Sequence, residues 1–143
     1  MMHASLVTDP IDISSLASAV AKDTNGATAI FLGTVRSSNE GRAVTGIEYS
    51  AYEEMAEREM VSILIEAREK FGIAGASIEH RLGTLGIGEA SIGVAVANPH
   101  RGPAMEALRY IVDETKRRAP IWKLEHYADG TREWVNAGSA QLV

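Results

Sequence analysis

Lys116 and Lys123 are the residues from which chemistry is most readily argued. The chain has only four lysines against ten arginines, so ordinary surface charge falls mainly to arginine. Two of those four lysines lie seven positions apart in NPHRGPAMEALRYIVDETKRRAPIWKLE, Asn98 to Glu125. A lysine amine that is desolvated or crowded by cations can exchange its proton near neutral pH, which a guanidinium does not do. In the same stretch His100 and Arg101 precede a helix start, where free backbone N–H groups and the helix dipole favour a phosphate or carboxylate. The residue types thus look like an anion site with a catalytic amine on one segment, the plain alternative for both lysines being solvated surface charge.

The elements that must position these groups follow from local signals. Asn98-Pro99 is a turn dipeptide, and Pro103 suits a first helical turn, where its missing N–H costs nothing. Ala104, Leu108, Ile111, Val112, Thr115 and Ala119 recur at the helical period, so a helix is expected from about Gly102 to Arg118. Pro120 excludes Ala119 from the α region and makes Ile121-Trp122-Lys123 the start of an extended segment. On a helical wheel Lys116 falls at the border of the buried stripe beside Val112, which predicts a buried stem and an ammonium at a cleft edge. Such a helix is about 25 Å long, so groups at its two ends reach one small ligand only through a fold-back or a second subunit. Arg36 follows an apolar strand, ATAIFLGTV, at the mouth of the polar loop SSNEGR, a position held by the strand and left accessible by the loop.

The remaining pattern is mixed. A short edge strand is expected at 5–8 and an amphipathic helix over 12–22, and the strand 27–35 is apolar on both faces, as for a strand covered on both sides. Ser50 and Glu53 read as a capping box opening a long helix with the stripe Ala56, Met60, Ile63, Leu64, Ala67 and Phe71, closed by Gly72. Residues 76–82 and 90–97 alternate as a strand pair. Gly93, Ala95 and Ala97 on one face of the second predict close approach by another layer. A last hairpin is expected at 121–127 and 131–135 around Asp129-Gly130, followed by a small polar tail, 136–143, expected to be mobile. Helices and strands without regular βαβ alternation indicate an α+β fold, read as one domain over 1–143.

Other conspicuous residues have plain structural readings. LGTLGIGEASIG lacks the order and following helix of a nucleotide loop and reads as a turn between strands. His80 shares a strand face with Ile78 and Leu82 and reads as a hydrogen-bonded core group. Trp122, Leu124 and Trp134 read as core. Glu53, Glu54, Glu57 and Glu59 complement the dipole of their helix from solvent.

Composition excludes several classes. A net charge of −5 is unlike a nucleic-acid binder. No 18-residue apolar run or signal-like leader is present, so a non-membrane, cytosolic (cytoplasmic) protein is expected. The absence of cysteine excludes a thiol nucleophile, disulfides and thiolate–metal sites. The four histidines, at 3, 80, 100 and 126, have no ligand spacing, so no metal or other cofactor is expected.

The segments GATAIFLGTVRSSNEGRAV, IEYSAYEEMAERE, HRLGTLGIGEASIGVAVANPHR and DETKRRAPIWKLEHYADG, with Trp134 after them, resemble the catalytic, large subunit family of molybdopterin synthase. The likeness covers about residues 6–135; Leu124 departs from the basic residue often found after the second lysine, and Ser50 from a frequent acidic one. The resemblance implies an α/β hammerhead type of α+β fold. It also implies a sulfurtransferase that converts cyclic pyranopterin monophosphate to molybdopterin in molybdenum cofactor biosynthesis. Lys116 and Lys123 would be the catalytic pair, and Arg36, His100 and Arg101 would hold the anionic substrate. The implied partners are a small ubiquitin-like carrier bearing sulfur as a thiocarboxylate on a C-terminal Gly-Gly, and a second copy of the chain, together a heterotetramer. A cysteine-free chain accords with sulfur arriving from outside. The alternative kept open is a non-catalytic dimeric module that binds a phosphorylated ligand and a partner's extended tail.

Overall fold

The computed structural model describes residues 1–135; the tail 136–143, expected to be mobile, lies outside the described residues. In chain order the elements are β1 (Met2–Val7), α1 (Ile13–Val20), β2 (Ala27–Thr34), β3 (Ser38–Asn39), β4 (Arg42–Ala51), α2 (Glu53–Phe71), β5 (Gly75–Arg81), β6 (Gly83–Gly86), β7 (Ala90–Asn98), α3 (Arg101–Arg118), β8 (Ile121–Tyr127) and β9 (Arg132–Val135). This is the expected α+β arrangement.

Two sheets carry the fold. The first has the order β1-β5-β7-β2, with β1 parallel to β5 and the other pairs antiparallel. Its large side chains, Ile78, Ile92, Val94 and Val96, pack beneath α2 and α3 with Met60, Ile63, Leu64 and Ile111 in the main core. Its small-residue face receives α1: Leu16 and Val20 pack on Ala95 and Ala97, and a Cβ at Gly93 would lie 2.7 Å from Leu16 Cδ1. The close approach expected from Gly93, Ala95 and Ala97 is this contact. The second sheet runs β3-β4-β8-β9, with β6 also paired to β4, over a smaller core of Val35, Val44, Ile47, Leu85 and Tyr127.

Several expectations are corrected. Ser50 does not cap α2. It stays in β4 opposite Trp122, the N-cap is Tyr52 without a side-chain cap bond, and the sheet ladder takes the residues that a capping box would need. The strand at 27–35 is covered on one face only. Ile30 and Leu32 are 46% and 43% exposed because β2 is an edge strand and the eight-residue α1 sits over β5 and β7. The first strand starts at Met2 rather than Ser5, and the glycine-rich segment contains β6 as well as turns. Trp134 is 56% exposed on the terminal strand of its sheet, and Trp122 and Leu124 are half-buried, so none of the three is core. Trp122 instead meets Tyr52 edge to face, with centroids 4.8 Å apart.

Candidate active site

Pro120 does what its position predicts: α3 stops at Arg118, Ala119 is extended (φ −71°, ψ 131°), and β8 begins at Ile121. Strand alternation then places Lys123, Glu125 and Tyr127 on the inner face of the second sheet. Lys123 lies directly across from Tyr49 of β4. It is half-buried, and burial holds its ammonium below the ordinary lysine value. The positive charges of Lys116 and Arg36 act in the same direction, and Glu125 acts against them.

The fold places Lys116 of α3 and Arg36 near enough for their charges to act on Lys123 of β8, although the three come from separate elements. Arg36 is exposed and follows Val35, which is buried and bonded on both sides: its N–H donates to the Glu89 carbonyl (3.0 Å), and its own carbonyl accepts from Gly88 N–H (2.8 Å). The backbone under Arg36 is therefore held while its side chain is free to meet a ligand. Lys116 is exposed in the last turn of α3. The desolvated amine expected at Lys116 is found at Lys123 instead, because Thr115 occupies the buried edge of the helix stripe.

His100 and Arg101 stand at the other end of α3, about 27 Å away by helix rise, and do not join the lysines within one chain. They line a cleft of about 530 Å³ with Gly26, Ala27, Pro99, Gly102 and Pro103. His100 is the N-cap yet makes no side-chain cap bond, and both side chains are exposed, so imidazole, guanidinium and helix N–H groups are all of a kind suited to an anion. The turn is held by Asn98, only 5% exposed, whose Nδ2 donates to the His100 carbonyl at 3.1 Å. Gly26 is required beneath it: a Cβ there would lie 2.8 Å from the Pro99 carbonyl oxygen.

Three groups beside the lysines were not singled out from the sequence as site residues. Glu125 is 4% exposed, and its Oε1 accepts from Asn39 Nδ2 (3.0 Å) and the Tyr127 hydroxyl (2.9 Å). His80 is the buried, hydrogen-bonded group expected, with Nδ1 3.0 Å from the Arg81 carbonyl, but it also lies within the field of both lysines. Tyr49 packs edge-on to His80, with centroids 5.0 Å apart. Period-two alternation from Lys123 would have found Glu125; His80 and Tyr49 needed the crossing of the two sheets. Together the groups offer a half-buried amine of lowered proton affinity, a second amine and a guanidinium at its rim, a combination suited to binding an anion and moving a proton.

The family model for the MoaE protein matches residues 6–118. A molybdopterin synthase catalytic subunit from Culex quinquefasciatus is 40% identical over 132 residues, which cover 90% of this chain and 84% of the relative. The Drosophila melanogaster protein of the same name is also 40% identical, over 94% of this chain, but the chain spans only 37% of that relative's length. Among solved structures, molybdopterin synthase from Staphylococcus aureus superposes with a TM-score of 0.86 at 35% identity, covering 92% of this chain and 95% of that one. A complex of subunits 1 and 2 of molybdopterin-converting factor from Helicobacter pylori shares the fold at a TM-score of 0.75 and 22% identity, over 92% and 89% of the two chains. The match of the family model over most of the chain, and 40% identity to a relative covered over most of its length, make the protein a member of the MoaE family.

Proposed function

We propose that this chain is the catalytic subunit of a molybdopterin synthase. It converts cyclic pyranopterin monophosphate to molybdopterin with two sulfurs from the C-terminal thiocarboxylate of a small Gly-Gly carrier subunit. The observation that carries this reading is the half-buried Lys123 beside Lys116 and Arg36. Arg36, His100 and Arg101 neutralise the cyclic phosphate, which lowers the cost of bringing an anionic thiocarboxylate to an anionic substrate. The lysine pair moves protons as the phosphate ring opens. Water then cleaves each acyl–sulfur link, leaving sulfur on the pterin and a carboxylate on the carrier. The relatives named as catalytic subunits, and the two-subunit Helicobacter complex, support an enzyme that works with a small partner.

A second copy of the chain resolves the separation along α3. The strand β2 starts beside the His100 cleft and ends just before Arg36, and its exposed Ile30 and Leu32 lie between. Eight residues of strand span about 26 Å, close to the length of α3. Two copies facing each other across this edge about a two-fold axis run antiparallel, so the His100 end of one meets the Lys123 end of the other.

The deciding experiment is reconstitution with thiocarboxylated carrier and the cyclic pterin. Product formation is expected with the intact carrier and none with a carrier lacking its last two residues. Equal turnover with the truncated carrier would refute delivery by the tail, and binding of both ligands without turnover would favour the non-catalytic module.

A further inference from the structure

The buried imidazole of His80 has no part in the chemistry proposed above, yet it sits where two sheets and two cations converge. It lies on β5 and is 8% exposed. Its Nδ1 is 3.0 Å from the Arg81 carbonyl, and a carbonyl only accepts, so Nδ1 carries the hydrogen and Nε2 is the bare nitrogen of a neutral ring. Its ring meets Tyr49 of β4 at 69° with centroids 5.0 Å apart. Tyr49 in turn is the cross-strand neighbour of Lys123, which puts their side chains on one face of the second sheet. The Arg81 carbonyl, the imidazole and the phenol thus form a connected series that ends at the cross-strand neighbour of Lys123.

We infer that His80 is a positioning residue for Lys123: tethered to the Arg81 carbonyl, its ring holds Tyr49 beside the amine and keeps bulk water from that side. The inference rests on the reading of Lys123 as a working amine. It extends that reading to a residue on the other sheet that touches no substrate.

The charges around the pair accord with this. Burial pulls the His80 imidazole down to about 4, the hydrogen bond with Arg81 opposes that, and the Lys116 and Lys123 charges add to it. At neutral pH the ring is uncharged and adds no further cation to Lys116, Lys123 and Arg36. Lys123 is faced by Tyr49 from β4, Glu125 from its own strand, Lys116 from α3 and Arg36 from the end of β2. Burial is the largest influence on Lys123, so a change in the packing of its cross-strand neighbour Tyr49 is the route by which His80 would act on it.

The test reads Lys123 directly and needs no substrate. With only Lys22, Lys70, Lys116 and Lys123 present, carbon-13 labelling at the lysine ε positions gives few resonances to assign and titrate by NMR in the full chain. His80→Asn keeps a donor for the Arg81 carbonyl and removes the ring; the Lys123 amine is expected to titrate higher, toward the ordinary lysine value. His80→Phe keeps the ring edge against Tyr49 and is expected to leave the Lys123 titration near wild type. Tyr49→Leu breaks the same path from its other side and is expected to match His80→Asn, which keeps the inference testable if that variant fails to fold. In reconstituted enzyme, His80→Asn should turn over roughly tenfold more slowly at neutral pH, with unchanged KM for the carrier. An unchanged Lys123 titration in folded His80→Asn or Tyr49→Leu would overturn the inference and leave His80 as core. Failure of the synthase reading would appear instead as no turnover in wild type, with the titration shifts intact.

Discussion

At the scale of single residues, the pair Lys116 and Lys123 divides its properties: one amine is exposed, and the other is held below its ordinary value by burial. Within the proposed reaction, in which both lysines move protons, Lys123 is the amine poised to exchange its proton closer to neutral pH. Lys123→Ala should lower turnover by at least roughly 10²-fold while the carrier still binds, as for loss of a positioned acid/base group. Lys123→Arg should rescue poorly because guanidinium keeps its proton. Lys116→Ala should also be impaired, and steady-state kinetics with saturating carrier measures both. A stability signature accompanies the same group. The folded value of Lys123 lies below its unfolded value, so the folded state gains stability as pH rises through the interval between them and carries the penalty below it. Lys123→Met should therefore melt higher than wild type at pH 7, with the gain fading as pH rises through that interval; scanning calorimetry at several pH values checks this. Arg36→Ala should weaken binding of the cyclic pterin by about 1.5–3 kcal/mol in titration calorimetry, the range for a charge-assisted hydrogen bond.

At the scale of elements, the placement of Lys116 depends on how α3 is held to α2. Arg118 joins the two helices: its guanidinium bonds Glu59 (2.5 and 2.9 Å) and Glu66 (2.6 and 2.9 Å) of α2, and Glu114 (3.3 Å) one turn back on α3. Hydrogen bonds from Arg118 and from the Tyr110 hydroxyl lower the Glu66 carboxyl to about 2. A depressed carboxyl contributes stability above its unfolded value near 4.5, and that contribution is lost as pH falls through about 2. Arg118→Met should thus cost about 1–2 kcal/mol at neutral pH, the range for a partly exposed ionic network, as measured by denaturant unfolding. The deficit relative to wild type should shrink between about pH 4.5 and pH 2 as Glu66 protonates in both. The α3 stripe, the Pro120 stop and the Gly72 terminator of α2 were all legible in the sequence because each acts within one or two turns of chain. The capping box at Ser50 failed because residue 50 is claimed by pairing with β8, a partner some seventy positions away (122 − 50 = 72).

At the scale of the whole molecule, the open face of β2 and the length of α3 make one claim. Ile30→Glu together with Leu32→Glu places two charges on an exposed apolar strand, so the fold should survive while self-association is lost. Light scattering after size exclusion should then report monomers in place of dimers, and turnover should fall with unchanged thermal melting of the chain itself. A dimer retained with both substitutions would show that the copies meet elsewhere. Deletion of the carrier's terminal Gly-Gly tests the other interface independently.

The composition and local patterns of the sequence were enough to establish an α+β chain without a thiol, the course of α3 and the end of α2, and the types of group able to bind an anion and exchange a proton. Those features depend on period, caps and residue chemistry, which act over a few positions. Which amine is desolvated, that His80 of β5 and Tyr49 of β4 pack together across the two sheets, and that one face of β2 is open were decided only by the tertiary structure. Each of these depends on what lies across a sheet or beneath a helix, and burial is a property of neighbours brought in from distant parts of the chain.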